Sequence, residues 1–122
     1  MKPTELRIGN RVAYAGIEYS VAAMSSLSLI LIDDDGVAIT VRSNDPFLEP
    51  ISINGKLLLN YGFTQHKNWL FCRGCFEISL ERYDNWYMCI NGGEYLIAPL
   101  KHFHDLQNAY QLVTKQELTL QL

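Results

Sequence analysis

Cys72-Arg73-Gly74-Cys75 has the Cys-x-x-Cys spacing that holds zinc when two further sulfur or imidazole ligands reach the ion, and Cys89, His66, His102 and His104 are the candidates elsewhere. The second paired knuckle of a structural zinc site is missing, and Phe71 and Phe76 flank the pair. Arg73-Gly74 reads instead as a two-residue hairpin turn, with Cys72 and Cys75 as cross-strand neighbours packed like small apolar groups. We expect no metal, with Cys72, Cys75 and Cys89 as the alternative set. A thioredoxin-type redox pair belongs at a helix start in a βαβ unit, and no such unit is visible.

Asp33-Asp34-Asp35-Gly36 suggests calcium, so its glycine can be aligned with the invariant glycine of an EF-hand loop. Leu31 then falls on the first ligand position and Arg42 on the bidentate one. An apolar group and a cation do not ligate calcium, which leaves a solvated acidic hairpin tip.

His104, Gln107 and Asn108 stand at i, i+3 and i+4, where helical side chains meet on one face; with Tyr110 they form the candidate binding set. Two accounts compete. Their polar groups converge on a ligand, or His104 or Asp105 caps the helix while Gln107 and Asn108 tie it to an adjacent strand. The structural account is the simpler one. No Gly-x-Ser-x-Gly, Walker loop, dinucleotide fingerprint or His-Glu-x-x-His occurs, so no catalytic residue and no cofactor is assigned. Trp69, Phe71, Trp86 and Tyr87 resemble base-stacking platforms. Only Lys67, Arg73 and Arg82 lie near them, against Glu77, Glu81 and Asp84, which favours core packing over nucleic-acid contact.

The elements that position these groups are mostly strands. Over residues 6–53, short β-branched and aromatic runs alternate with turn signals, predicting strands at 11–15, 17–24, 27–32 and 37–42. The run 27–32 reads as a central strand, Phe47-Leu48-Glu49 as one turn of 3₁₀ helix, and 50–53 as a closing edge strand. Five such strands suggest an SH3-like small β-barrel. Asn54 is a good N-cap for a short helix through Leu57, Leu58, Leu59 and Tyr61, ended by Gly62; a hairpin turn at Asn54-Gly55 is the competing reading. Residues 68–99 predict a four-stranded antiparallel meander turning at Arg73-Gly74, Tyr83-Asp84-Asn85 and Asn91-Gly92-Gly93. Phe103, Leu106, Tyr110 and Val113 form one apolar helical stripe over 103–113. Alternating leucines at 118, 120 and 122 predict a final strand.

At 122 residues the chain has the usual size of one domain, and it can bury roughly two-thirds of its unfolded surface without metal or disulfide staples. A net charge of -3 repels a polyanion unless the ten basic residues gather on one face, and along the chain they are scattered. No apolar run reaches the roughly 20 residues of a membrane helix, so no membrane partner is expected. Three cysteines and no Asn-x-Ser/Thr site fit a reducing cytoplasm.

Three blocks, Leu6-Arg7-Ile8-Gly9-Asn10, Pro50-Ile51 before Leu58-Leu59-Asn60-Tyr61-Gly62-Phe63, and His104-Asp105-Leu106-Gln107-Asn108-Ala109-Tyr110, together resemble a family of short uncharacterised proteins from gut bacteria and their prophages. The last block, running on to Thr114 and Glu117-Leu118, is the distinctive one. Gly55-Lys56 stands where that family usually has acidic residues, and Lys115 where it usually ends the long helix with glycine. The resemblance implies no activity.

The sequence thus predicts an α+β protein of a single domain over 1–122, with an SH3-like barrel part at 1–53 and a helix, antiparallel sheet and C-terminal helix part at 54–122. The expected function is a non-enzymatic protein-interaction module, such as an accessory protein of a prophage or mobile element. Two alternatives remain: nucleic-acid binding through the barrel, which needs Arg7, Arg11 and Arg42 on one face, and a small-molecule enzyme using His104. The oligomeric state is open.

Overall fold

The computed structural model describes residues 5–74, 76–80, 86–90 and 95–118. It is an α+β structure with two antiparallel five-stranded sheets and a C-terminal helix. Two units divide the chain: residues 1–51 with 103–108, and 52–102 with 109–122. The long helix expected wholly within the C-terminal part is therefore shared between them. No helix of the described residues is long and apolar enough to cross a membrane.

In the first unit the strands are β1 (Arg11–Tyr14), β2 (Ile17–Met24), β3 (Ser28–Ile32), β4 (Ala38–Arg42) and β5 (Leu48–Glu49), in the order β4-β3-β2-β1-β5. The sheet is open, with β4 and β5 at its edges, so barrel closure is not seen. Its apolar residues alternate as a half-buried sheet requires: Val12, Tyr19, Val21, Leu29, Leu31, Val41 and Leu48 point to one buried cluster with Leu6. Burying each aliphatic chain there contributes about 1.5 to 3 kcal/mol. The central strand lies between two neighbours, as its composition predicts. Its other face is not covered, however, for Ile30 remains 39% exposed and Leu27, just before it, 79%.

Two turn residues explain the local geometry. Tyr14 pairs with Ile17, so Ala15 and Gly16 alone connect β1 to β2, with φ of 50° and 83°. That double left-handed pattern matches the twist of the flanking strands and suits glycine better than alanine. At the β3–β4 hairpin the Asp33 carboxylate accepts from the backbone N–H of Asp35 and Val37, at 3.0 and 2.8 Å. The acidic tip is a self-closed Asx turn.

The expected 3₁₀ turn at Phe47-Leu48-Glu49 and edge strand at 50–53 are corrected. Leu48 and Glu49 themselves pair with Tyr14 and Ala13 as the edge strand. Asp45 starts that strand early: its Oδ1 accepts from Phe47 N at 2.9 Å, and its carboxylate also holds the Tyr14 hydroxyl. Ser52 makes only an isolated bridge to His102.

The second unit opens with α1 (Gly55–Asn60), and the helical reading holds over the hairpin. Asn54 caps it, its Oδ1 accepting from Leu57 N at 2.8 Å, and Gly62 at φ 84° terminates it. A Cβ on Gly55 would lie 3.1 Å from Phe71 Cζ, which explains a glycine in the first turn. The sheet runs in chain order through β6 (Thr64–Lys67), β7 (Leu70–Arg73), β8 (Phe76–Leu80), β9 (Trp86–Ile90) and β10 (Tyr95–Leu100). The meander has one strand more than expected, because Thr64–Lys67 pairs with β7 although all its side chains are exposed. Aromatic rings fill the core: Phe76 and Tyr110 centroids are 5.2 Å apart and Phe71 and Trp86 5.8 Å, both edge to face. The turns at 83–85 and 91–93 lie outside the described residues.

The long helix, α2, is Phe103–Thr114. Phe103, Leu106 and Tyr110 of the predicted stripe are buried, whereas Val113 is 38% exposed. Lys115 after it takes φ 63°, the left-handed conformation that a terminal glycine adopts without strain. Leu118 is buried, and the rest of the predicted final strand lies outside the described residues.

Candidate functional site

The polar cluster of α2 can be followed atom by atom within the first unit. Gln107 Oε1 accepts from the Arg11 backbone N–H at 2.7 Å, and its Nε2 donates to the Gly9 carbonyl at 3.2 Å. Asn108 Oδ1 accepts from Asn10 Nδ2 at 2.8 Å, and Asn108 Nδ2 donates to the Glu5 carbonyl at 3.2 Å. Asn10, fully buried, accepts in turn from the Arg7 N–H at 2.8 Å. Both amide side chains thus bind segment 5–11, tying the helix to the chain that leads into β1. The turn that presents these backbone groups depends on Gly9 at φ 96°. This is the structural account of Gln107 and Asn108.

His104 does not cap the helix, because the helix already begins at Phe103. It is fully buried, and its Nε2 lies 3.6 Å from Glu5 Oε2 and 3.5 Å from Asp105 Oδ1. Asp105 sits in the first turn, where the helix dipole favours an anion. Tyr110, the fourth candidate, belongs to the second unit and packs against Phe63 and Phe76, with the Arg73 guanidinium 5.3 Å from its ring centroid. The four residues do not form one set: three serve the first unit and the fourth is an aromatic core residue of the second.

The cysteine hairpin is also corrected. Arg73 pairs with Phe76, so it stands in the ladder and not in the turn where it was expected. Gly74 follows in the left-handed conformation, at φ 62°. Cys72 stands opposite Glu77. Cys75 and the Cys89 side chain lie outside the described residues; among the described residues no three His, Cys, Asp or Glu side chains gather as a metal site would require.

The aromatic platform is divided. Phe71 and Trp86 are core partners, and Trp86 Nε1 donates to the Ile53 carbonyl at 3.2 Å. Trp69 is 44% exposed, with Lys67 Nζ 5.1 Å from its ring centroid.

The first sheet leaves apolar side chains exposed on both sides, Ile8, Ile17 and Phe47 around β1 and β5 and Leu27, Ile30 and Val37 around β4. Arg11 and Arg42 share its outer face, through the register Arg11, Ser20, Ile32 and Ala38 and the alternation along β4. Arg11 is neutralised, 3.2 Å from Glu18 and 3.1 Å from Asp34. Arg7 donates to the carbonyls of Ile8 and Gln107. Arg42 makes no such contact.

β4 itself is an open edge. Asp33 N donates to Val37 O and Ser43 N to Leu27 O, at 3.0 Å each, which sets the phase of the β3–β4 ladder. Odd-numbered residues of β4 face β3, so the backbone groups of Ala38 and Thr40 face outward. Val37, 57% exposed, and the exposed Ile30 and Leu27 stand beside this edge. At its far end Ser26, Leu27, Ser28, Arg42, Ser43 and Asn44 line a cleft of about 610 Å³. Sequence reasoning read Arg42 as a nucleic-acid contact and as a cation that excludes calcium, and did not mark β4 as an edge. The alternating exposure in β4 was its available signal.

The chain matches no known protein family, no curated protein and no solved structure.

Proposed function

We propose that the protein is a non-enzymatic interaction module that adds an extended segment of a partner protein to the β4 edge. The observation that carries this reading is an unpaired strand edge flanked by exposed Val37, Ile30 and Leu27, the combination by which β-augmentation obtains both backbone hydrogen bonds and side-chain contact. The strand order of the first unit, with β5 returning beside β1, supports reading it as SH3-like. A bacterial or prophage accessory acting in the cytoplasm is the setting that fits the resemblance in the sequence and the odd cysteine count.

The alternatives find less support. Nucleic-acid binding needs three arginines offering charge together, yet Arg11 is ion-paired and Arg7 is hydrogen-bonded to the chain. Catalysis by His104 needs solvent access, and its side chain has none.

Thr40→Pro tests the reading, because it removes an outward N–H without touching the β3 ladder. Proteins captured from a host lysate by the wild type should be lost with the variant, as measured by mass spectrometry. Equal capture by both would overturn edge pairing, and nuclease-sensitive material would favour the nucleic-acid alternative.

A further inference from the structure

We propose that the cleft at the end of β4 is a carboxylate subsite that receives an acidic side chain of the paired segment. Its occupant rests on the edge-pairing reading above. Two independent observations point to it. Ser43 is only 7% exposed, yet its Oγ has no hydrogen-bond partner among the described residues. A buried hydroxyl without a partner costs stability, so it calls for an acceptor from outside. Beside it Arg42 is exposed, and among the described residues its guanidinium makes no ion pair or hydrogen bond, unlike those of Arg7, Arg11 and Arg73.

The other groups around the cleft fit the same ligand. Ser26 and Asn44 bring further short polar side chains, while the Ser28 hydroxyl is already shared with Ser25 at 3.1 Å. Leu27, 79% exposed, offers apolar surface for the methylene of an aspartate or glutamate. The nearest acid in sequence, Asp45, is engaged by the Tyr14 hydroxyl and the Phe47 N–H, at 2.9 Å each. One guanidinium with neutral hydroxyls suits a single negative charge. A phosphate dianion would want more cations than the cleft holds, on a chain whose net charge is -3.

The cleft lies at the end of β4, on the strand that carries the outward groups of Ala38 and Thr40. An acidic residue near one end of a paired segment would therefore meet it while the middle of that segment bonds to Thr40. Charge then selects which extended segments bind, and backbone pairing supplies the rest of the affinity.

The test uses N-acetylaspartate methylamide, titrated into the full chain and followed by amide chemical shifts. Saturable millimolar binding with shifts confined to residues 26–28 and 42–44 is expected. The asparagine counterpart should leave those shifts unchanged. Arg42→Gln should weaken binding about tenfold, the usual cost of losing a charged hydrogen bond, with partial recovery in Arg42→Lys. Ser43→Ala should weaken it as well. Equal response to the aspartate and asparagine probes, or binding unaffected by Arg42→Gln, overturns the subsite. Because this probe has no strand to pair, its failure is separate from a failure of the Thr40→Pro comparison.

Discussion

The two sides of the first sheet treat polar groups in opposite ways. At the β1 side the amides of Asn10, Gln107 and Asn108 and the Arg11 guanidinium are hydrogen-bonded or ion-paired within the chain. At the β4 side Arg42 and the Ser43 hydroxyl have no such partner among the described residues. A fold gains nothing from leaving a hydroxyl buried and unbonded. The difference teaches that the α2 cluster, the more conspicuous in sequence, ties the helix to segment 5–11, while the plainer β4 side is where polar groups stay without partners among the described residues.

Substitutions on the two sides should therefore move stability in opposite directions. Gln107→Ala should have the largest effect, a loss of about 2 to 4 kcal/mol, because it strands the Arg11 N–H and the Gly9 carbonyl together. Urea denaturation measures it, and a loss below about 0.5 kcal/mol, the range of ordinary surface changes, would break the comparison. Ser43→Ala should go the other way, stabilising by up to about 1 kcal/mol through removal of an unbonded hydroxyl. Destabilisation there would show that the hydroxyl serves the fold after all.

The smallest effect concerns Tyr14, whose O–H donates to Asp45 Oδ2 at 2.9 Å. That hydrogen bond raises the phenol above its ordinary value of 10.0, with burial and the Asp45 charge acting in the same direction. The neutral form is the one favoured by folding. Its contribution is complete below the unfolded value and is lost as pH rises through the higher folded one. A phenolate absorbance titration should show one late-ionising tyrosine that disappears in Tyr14→Phe. Titration of that group with the ordinary tyrosines would show that Asp45 does not hold it.

Where a chemical signal was local, the sequence was legible. Asn54 and Gly62 bracket α1 because a cap and a left-handed terminus are properties of single residues. The spacing of Phe103, Leu106 and Tyr110 likewise marked α2. Arg73 was misread as a turn residue, since an Arg-Gly pair suits a hairpin turn locally, and only the register of the two paired strands puts it in the ladder opposite Phe76. β6 was missed for a similar reason: its four exposed side chains carry no periodic signal, and its pairing with β7 is made by the backbone.

Composition and alternation by themselves determined an α+β chain, its turn positions to within a residue or two, and the polar helix face that would need partners. Only the tertiary structure decided who those partners are, that they come from segment 5–11, and that β4 is left at an edge. The physical reason is that a periodic pattern specifies which way a side chain points. Whether something stands opposite it depends on residues a hundred positions away.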